Sequence, residues 1–419
     1  MPTLAINGGP SELANPLEHR WPIITHEDEA LVLQSLRGRE HSYGPNCRAF
    51  EDEFALWNGS KFAINTNSGT AALHMCLAAV GCGAGDEVIV PAYSWSSTAT
   101  CVLHQNSIPV FVDIDPETCA LDADQVEAAI TAKTRAIVVA HLHGTPANME
   151  MLTTIARAHG LAVIEDACQS HGASVLGKRV GNLGDCGAFS FNERKSLCAG
   201  DAGMFVTNNR DLYDAARRFW SFGEDRMPHT DRDFHAYALG WMYRSNDLTA
   251  AFGRGQLRKL DTYIKWQKAN ASRLGRKLDG FDLLRLPTVP HYGDSTFSYY
   301  VIRLQLHECD GPLASRRDQF VRALEAEGLG GHIAVWQRYP LPDMTVFRGK
   351  NAYGHGCPWS CPYGTRGNSM STFPVSKRHC HTSFCFNTIL RTEPEKAPID
   401  EIAACVTKVA EHTGELWGS

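Results

Sequence analysis

From about residue 61 the sequence alternates short runs of apolar, often β-branched residues with longer segments in which apolar residues recur every three or four positions. The short runs are typical of strands and the longer segments of helices, because a strand repeats every two residues and a helix every 3.6 residues. The predicted strands are residues 62–65, 87–90, 109–114, 136–140 and 161–165, and the predicted helices are residues 71–80, 122–130 and 148–159. This order predicts an α/β fold with a mainly parallel sheet that helices cover on both faces, which explains why the strands are apolar throughout.

The pattern changes in the second half of the chain. Two further strands, 187–192 and 204–207, surround a tight turn and extend the sheet. Beyond these we expect a long helix at 256–278, a strand at 299–306 and helices at 316–327 and 399–412. A chain of 419 residues with 43% apolar side chains exceeds what one core usually holds. We therefore predict two domains, which are a large α/β domain over residues 1–265 with the N-terminal segment, and a smaller α+β domain over residues 266–419.

Charge and hydropathy limit the classes of partner. The formal net charge is −6, the pI is about 6.3 and the basic residues are spread thinly, so no positive surface for nucleic acid or an anionic membrane is indicated. No unbroken apolar stretch of about 18 residues occurs, and the first residues lack the features of a signal peptide. We expect a cytoplasmic protein whose partners are small molecules or a second copy of the chain.

Fourteen cysteines are scattered along the chain, many of them within apolar runs, which is typical of buried reduced thiols and not of a disulfide framework. His355, Cys357 and Cys361, with Cys380 further on, form a group of potential metal ligands. Their spacing matches no regular zinc pattern, and glycine and proline residues surround them. We expect a loop here and no bound metal.

The first candidate ligand site is residues 67–73 (NSGTAAL), where a predicted strand ends in small polar residues and leads into an apolar helix. The free amides and the dipole at a helix start attract anions, and glycine lets a phosphate approach the backbone. Ser68, Gly69 and Thr70 are therefore candidate phosphate ligands. Taken alone, the same residues would also suit an ordinary helix cap.

The second candidate, Asp166, follows the apolar strand predicted at residues 161–165. Ligands of parallel α/β sheets bind at the carboxyl ends of the strands. A carboxylate there can keep a pyridine nitrogen protonated, which makes the ring an acceptor of electrons. A strand-ending acid that only caps the following turn would have the same sequence pattern.

The third candidate is Lys195, which lies just beyond the strand predicted at residues 187–192. A lysine that is partly desolvated beside another cation has a lowered pKa and can form imines with carbonyl compounds. A single lysine is usually a solvated side chain. The assignment therefore depends on the company of the phosphate turn and the acid.

In this order along the chain, the phosphate turn, the acid and a lysine about thirty residues later resemble a fold-type-I enzyme dependent on pyridoxal phosphate (PLP). More narrowly, they are similar to the DegT/DnrJ/EryC1/StrS family of aminotransferases, which act on keto-sugars and keto-cyclitols. The resemblance extends over almost the whole chain, through residues 50–51 (FE), 85–88 (GDEV), 113–115 (DID) and 373–376 (FPVS).

The resemblance implies a role for each candidate residue. Lys195 would form the Schiff base with the cofactor and move the proton, and Asp166 would bond the pyridine nitrogen. Gln169 would support the ring or its phenolic oxygen, and Trp95 would stack on the ring face. The implied ligands of the phosphate are Ser68, Gly69, Thr70 and Ser190.

One position departs from the family pattern at a subunit contact. The family usually has an asparagine that reaches the phosphate of the neighbouring subunit, whereas residues 240–244 read GWMYR and place Met242 there. A thioether cannot donate a hydrogen bond. Either another group supplies the contact, for which Trp241, Tyr243 and Arg244 are the candidates, or the phosphate depends more on Ser190 and the helix amides.

A second departure lies in the turn at residues 200–203, which reads GDAG where the family frequently has GEGG. If the third position needs a positive φ, Ala202 is strained, because a Cβ disfavours that backbone conformation.

The activity implied by the resemblance is transfer of an amino group from glutamate or glutamine to a keto-sugar or keto-cyclitol, in amino-sugar or antibiotic biosynthesis. Residues 374–376 and 386–388 indicate the cyclitol branch, but the paired histidines that this branch often has are replaced by Phe386 and Asn387. A nucleotide-linked keto-sugar is therefore the alternative acceptor. Arg244 would meet either the carboxylate of the donor or an interface acid.

Other functions within the same fold stay open. One is a synthase or dehydratase on a carbocycle, similar to aminohydroxybenzoate synthase, although the dehydratases have histidine where this chain has Lys195. Another is a non-catalytic PLP-binding sensor. Since members of the family are usually homodimers, the resemblance also implies a homodimer with its sites at the subunit interface.

Overall fold

The computed structural model describes residues 3–225, 232–307, 309, 311–363 and 372–418. Within them the strands of the large sheet are β1 Phe62–Thr66, β2 Glu87–Pro91, β3 Ile108–Val112, β4 Thr134–Ala140, β5 Ala162–Asp166, β8 Cys186–Ser190 and β9 Gly203–Thr207. The order across this sheet is β1-β9-β8-β5-β4-β2-β3. Neighbours from β8 to β3 are parallel, and only β9 runs antiparallel to the strands beside it. The predicted fold class, an α/β fold with a mainly parallel sheet, is confirmed.

Helices cover both faces of this sheet. Those of the first part of the chain are α1 His26–Arg37, α2 Pro45–Asn58, α3 Gly69–Ala79, α4 Ser97–His104, α5 Ala123–Ala129, α6 Met149–His159, α7 Arg210–Trp220 and α8 Asp247–Leu257. Several begin at a polar residue whose side chain caps the first turn, as Asn148 does for α6 and Asn209 for α7. Apolar strand residues pack against the helices on each face, which explains the continuous apolar runs of the sequence.

The later part of the chain forms a second core. Its strands β10 Leu284–Arg285, β12 Tyr300–Leu304, β13 Ile333–Ala334 and β14 Ser383–Phe386 make an antiparallel sheet in the order β10-β12-β14-β13. Its helices are α9 Leu260–Leu278, α10 Leu313–Leu324, α11 Thr345–Arg348, α12 Pro374–Thr382, α13 Ile399–Glu411 and α14 Gly414–Trp417. The short strands β6 Ser174–Val175, β7 Lys178–Arg179 and β11 Gly293–Asp294 form a third sheet. Leu4 belongs to the second core, so the start of the chain packs with the later part. The division at residue 265 stays a proposal.

One predicted element is wrong in detail. The helix expected at 256–278 is two helices, because α8 ends at Leu257 and α9 begins at Leu260. The break coincides with a tertiary contact, since Lys259 Nζ bonds Asp28 Oδ2 at 2.5 Å. The apolar period continues through the break, so the local sequence gives no sign of it.

None of the helices in the described part of the chain is both long and apolar enough to cross a membrane.

Candidate active site

The carboxyl ends of the parallel strands surround a cavity of about 450 Å³. Because β1, β2, β4, β5 and β8 all end at one edge of the sheet, the loops that follow them meet there although they are far apart in the sequence. The cavity is lined by all of the predicted cofactor ligands, which are Ser68, Gly69, Thr70, Trp95, Asp166, Gln169, Ser190 and Lys195. Their placement together is a property of the structure, and the role of each residue stays a proposal.

The phosphate turn is packed directly against the end of β8. Ser68 caps α3, with its hydroxyl accepting a hydrogen bond from the amide of Ala71 at 3.1 Å. A Cβ at Gly69 would lie 2.6 Å from the Cβ of Ser190 and 2.9 Å from the Sγ of Cys168. Only glycine therefore fits at the helix start, where the first amides of α3 and the Ser190 hydroxyl offer donors to an anion.

Asp166 ends β5 and is 7% exposed. Its Oδ2 accepts a hydrogen bond from the hydroxyl of Thr98 at 2.7 Å, and its Oδ1 accepts one from the amide of Cys168 at 3.2 Å. Since the Thr98 proton goes to Asp166, the 2.6 Å contact between Ser94 and Thr98 is donated by Ser94. These donors fix the direction of the carboxylate.

Gln169 and Trp95 lie on different walls of the cavity. Gln169 is buried, and its Oε1 accepts a hydrogen bond from the amide of His143 at 3.1 Å. The amide end of Gln169 can then donate to an oxygen on a bound ring. Trp95 is 54% exposed, which leaves its ring free to stack on a planar ligand.

Lys195 is half-buried in the turn after β8, where its amide donates to the carbonyl oxygen of Asn192 at 2.8 Å. Burial, together with the positive charge of Lys195, lowers the pKa of His143 to about 3. Burial also lowers the pKa of His171 to about 3, with smaller contributions from Lys195 and Arg391. Both rings are neutral at pH 7 and add no positive charge beside the lysine.

A further wall of the cavity was not predicted from the sequence. Tyr299, Trp336 and Asn387 line it, and the Trp336 ring lies 6.2 Å from Trp95 and 6.4 Å from Tyr299 between centroids. Tyr299 and Asn387 adjoin the paired ends of β12 and β14, whose pairing joins distant parts of the chain. Only this long-range pairing brings Tyr299 and Asn387 to the cavity. Of the three wall residues, only Asn387 lies in a stretch that the sequence analysis singled out.

Two predicted residues, Tyr243 and Arg244, do not line the cavity of their own chain. The Tyr243 hydroxyl bonds His74 Nδ1 at 2.9 Å, and the Arg244 guanidinium lies 5.2 Å from the Phe222 ring centroid. The amide of Asn67 donates to the Tyr243 carbonyl oxygen at 2.9 Å, so this segment runs beside the phosphate turn. A contact to a second subunit stays a prediction for both residues.

The turn at residues 200–203 contains no strained alanine. Gly200 has φ of +84°, whereas Ala202 does not have a left-handed backbone. Ala202 is buried and lines the cavity beside Asp201. The substitution of the family's glycine is therefore tolerated without the strain that a positive φ would bring.

The cysteines are free thiols and most are buried. Cys357 and Cys361 lie in a loop, with their Sγ atoms 2.9 Å apart. Across the described ranges, no cluster of three or more His, Cys, Asp or Glu side chains is placed to hold a metal ion.

The residues of the cavity fit PLP. The crowded glycine turn and the Ser190 hydroxyl suit a phosphate, the oriented Asp166 carboxylate suits a pyridinium, and Lys195 supplies a primary amine. A mainly parallel seven-stranded sheet with this set of residues at its carboxyl edge defines the fold-type-I PLP-dependent transferases.

Comparison with known proteins narrows this class. The sequence profile described as the DegT/DnrJ/EryC1/StrS aminotransferase family matches residues 22–376, and the chain belongs to this family. It is therefore a PLP-dependent aminotransferase of the sugar and cyclitol type.

Three relatives illustrate the range of the similarity. GDP-perosamine synthase of Caulobacter vibrioides is 38% identical over 290 residues, 67% of this chain and 73% of the relative. L-glutamine:2-deoxy-scyllo-inosose aminotransferase of Streptomyces fradiae is 36% identical over 321 residues, 73% of this chain and 74% of the relative. The crystal structure of 3-amino-5-hydroxybenzoic acid (AHBA) synthase superimposes with a TM-score of 0.81 at 25% identity, covering 96% of this chain and 100% of that one.

Proposed function

We propose that this enzyme transfers the amino group of glutamate or glutamine to the ketone of a keto-cyclitol or a nucleotide-linked keto-sugar, in amino-sugar or antibiotic biosynthesis. The observation that carries the proposal is that the cavity at the sheet edge brings together a phosphate turn, an oriented carboxylate and a lysine. The phosphate turn would bind the cofactor, the carboxylate would support electron acceptance by its ring, and the lysine would transfer the proton.

Bound in this cavity, PLP supplies an aldehyde carbon that exchanges amines and a ring that accepts an electron pair. Lys195 would hold the cofactor through its amine in the resting enzyme. Once free, the same amine would take a proton from the α-carbon of the donor and supply one to the acceptor in the opposite half of the reaction.

The other residues hold the reacting groups in place. Asp166, fixed by Thr98 and by the Cys168 amide, would bond the ring nitrogen. The amides at the start of α3 and the Ser190 hydroxyl anchor the phosphate while the substrates exchange. Trp95 covers one face of the ring and excludes water from it.

Relatives whose names state related chemistry support the proposed acceptor class. One relative is named for an inosose, which is a keto-cyclitol, and another for a GDP-linked amino sugar. In this chain one wall of the cavity has two aromatic rings and one amide side chain, from Tyr299, Trp336 and Asn387. A ring with an apolar face and hydroxyl groups, as in a sugar or cyclitol, suits such a surface.

The acceptor is identified in two steps. The holoenzyme is first converted to the pyridoxamine form with glutamate or with glutamine, the donor is removed, and a panel of keto-cyclitols and nucleotide-linked keto-sugars is added. Return of the visible absorption of the PLP form identifies an acceptor. A panel in which no keto-sugar or keto-cyclitol restores the absorption, although 2-oxoglutarate does, contradicts the proposed acceptor class.

A second function is favoured by the similarity to AHBA synthase. In that case the enzyme would aminate a carbocycle and then form an aromatic ring by loss of water. Ultraviolet absorption of an aromatic product, formed from a keto-carbocycle and absent with Lys195→Ala, would distinguish this reaction from simple transamination.

The proposed assembly is a homodimer with its sites at the interface. Residue 222 and residues 234–242 include exposed large apolar side chains, which are Phe222, Phe234, Tyr237, Leu239, Trp241 and Met242. An exposed apolar patch of this kind is typical of a protein–protein interface. Tyr243 and Arg244 follow the patch and pass beside the phosphate turn, where a partner cavity would use them.

Substitution of the patch tests the dimer. Leu239→Asp places a charge on a side chain that is 80% exposed in the single chain, so it leaves the fold intact and opposes association. We expect light scattering to show a dimer for the wild type and a monomer of low activity for the variant. Leu176→Asp, at an equally exposed leucine elsewhere, serves as the control. A fully active monomeric wild type contradicts shared sites.

A further inference from the structure

Arg391 is one of the largest side chains that the protein buries completely, with 1% of its surface exposed. It lies at the end of the 3₁₀ turn Thr388–Arg391, which directly follows the cavity residue Asn387. The hydrogen-bond acceptors of its guanidinium are all oxygen atoms of uncharged groups. Nη1 donates to the carbonyl oxygens of Arg194 at 2.8 Å and Lys195 at 2.9 Å, Nη2 to the carbonyl oxygen of Ser298 at 3.2 Å, and Nε to Oε1 of Gln267 at 2.9 Å.

This guanidinium has no carboxylate among the hydrogen-bond acceptors that the described residues supply. Burial lowers the pKa of Arg391 to about 10, so the group is still charged at pH 7. A buried cation without an anionic partner carries a large desolvation penalty. Here carbonyl dipoles and the Trp21 ring, whose centroid lies 4.7 Å from Cζ, offset part of this penalty.

The acceptors place the cation behind the lysine of the cavity. Two of them are the consecutive carbonyl oxygens of Arg194 and Lys195, which both accept from Nη1. The bonds from Nη2 and Nε fix the plane of the guanidinium and therefore the direction of Nη1. The amide of Lys195 is held as well, by the carbonyl oxygen of Asn192 at 2.8 Å. The main chain on both sides of the Lys195 side chain is thus fixed, and one of the two anchors comes from the later part of the chain.

Arg391 does not reach the cavity itself, since it is not among the lining residues and is almost fully enclosed. It therefore acts on the lysine through the backbone and not through the substrate. A change in the backbone direction at Lys195 would move its amine by a distance that matters for bond formation, because reacting atoms need near-ideal alignment.

We propose that Arg391 is a positioning residue, which holds the main chain of Lys195 so that its amine meets the cofactor aldehyde in one orientation. The inference rests on the proposed role of Lys195 as the cofactor-bound lysine. Arg391 contributes to bond formation at that lysine and not to the binding of the phosphate and the ring, which other elements hold.

Two measurements on the apoprotein separate these effects. The first is the rate at which added PLP becomes attached, measured by borohydride trapping at timed intervals and peptide mapping. The second is the dissociation constant of pyridoxine 5′-phosphate, an analogue that has the ring and the phosphate but no aldehyde. For Arg391→Met we expect attachment about 10- to 100-fold slower, with the dissociation constant of the analogue unchanged within about twofold.

Two further variants make the test independent of folding defects. Arg391→Lys keeps the charge but not the fork, so it should fold and show the same separation to a smaller degree. Arg273→Met, which removes a surface arginine that bridges Asp400, should leave both measurements unchanged.

The outcomes are distinct. Unchanged attachment rates in both Arg391 variants, or a matching loss of analogue binding, would overturn the positioning role. Wild-type protein that yields no trapped Lys195 peptide would overturn the proposed function and this inference with it. A trapped Lys195 peptide in the wild type with unaltered Arg391 variants overturns only the inference.

Discussion

Asp166 shows how single residues of the site are prepared before a ligand binds. Its two oxygens accept hydrogen bonds from the Thr98 hydroxyl and the Cys168 amide, so the carboxylate is oriented without a cofactor. Asp166 could be predicted from the sequence, because a polar residue that ends an apolar parallel strand has to lie at the ligand edge. Thr98 could not, since nothing in its local sequence indicates that its helix brings it to the end of β5.

Asp166→Asn tests the charge at this position. Asparagine has nearly the same shape, so the fold should be kept, but it cannot hold a ring nitrogen protonated by its charge. We expect kcat for transamination to fall about 100- to 1000-fold, with the thermal midpoint nearly unchanged. Asp279→Asn, at an exposed acid that does not line the cavity, is the control and should change kcat little. Normal turnover by Asp166→Asn would refute the assigned role.

Arg391 is a residue near the site that the sequence could not have predicted. A buried arginine has no periodic or motif signal, and its partners come from segments on both sides of the cavity. The role of Lys195 is predicted only from its spacing from other motifs. The contact of Arg391 with the main chain of Lys195 can be seen only in the structure.

At the scale of elements, the strands that the sequence predicts lie within two residues of their observed limits, whereas β6, β7, β10, β11, β13 and β14 have no predicted counterpart. β1 was expected at 62–65 and spans Phe62–Thr66, and β5 was expected at 161–165 and spans Ala162–Asp166. Their apolar composition and the polar turns around them carry this information locally. The break between α8 and α9 was missed because a contact between Lys259 and Asp28 accompanies it, and local periodicity does not record such contacts.

Gly69→Ala tests the packing of the phosphate turn. The added Cβ would lie 2.6 Å from the Cβ of Ser190, so either α3 or β8 has to shift, at a cost of about 1 to 3 kcal/mol. We expect the affinity for PLP, measured by fluorescence titration of the apoprotein, to fall about tenfold or more. Gly83→Ala has no atom within 4 Å of the new Cβ and is the control. Wild-type affinity in Gly69→Ala would contradict the crowded turn.

At the scale of the whole molecule, two cores are joined by the cavity between them. The eight predicted cofactor residues lie at the carboxyl edge of the large sheet, whereas Tyr299, Trp336 and Asn387 lie next to strands of the antiparallel sheet in the later part of the chain. The first set could be predicted because parallel strands share an edge. The second could not, because it depends on how the two cores dock.

Buried histidines set the response of the whole fold to pH. Burial lowers the pKa of His74 to about 4 and that of His143 and His171 to about 3. An unfolded histidine binds its proton near pH 6.5, so below that value the unfolded chain binds more protons and the free energy of unfolding falls. Glu51 acts in the opposite sense, because burial raises its pKa to about 7 and stability is lost as the pH rises toward that value. The histidines are more numerous, so we expect acid to destabilise the apoprotein.

His171→Phe tests this response. The His171 ring contacts the rings of Phe189 and Phe191, so phenylalanine suits the site. As the pH is lowered below the unfolded pKa, the free energy of unfolding should fall by about 1.4 kcal/mol less per pH unit in the variant than in the wild type. Denaturant unfolding of the apoprotein at pH 8 and pH 5 measures the difference. The exposed histidine variant His41→Phe should leave the difference unchanged. An equal difference in His171→Phe and the wild type would contradict a neutral buried ring.

The account as a whole depends on where the cofactor is attached. Borohydride reduction of the holoenzyme, followed by peptide mapping, identifies the amine that carries PLP. We predict one labelled peptide, with the label on Lys195, and no label in Lys195→Ala even though that variant still binds pyridoxine 5′-phosphate. A label on another lysine, or retention of the label by Lys195→Ala, would contradict the assignment of the cavity as the PLP site.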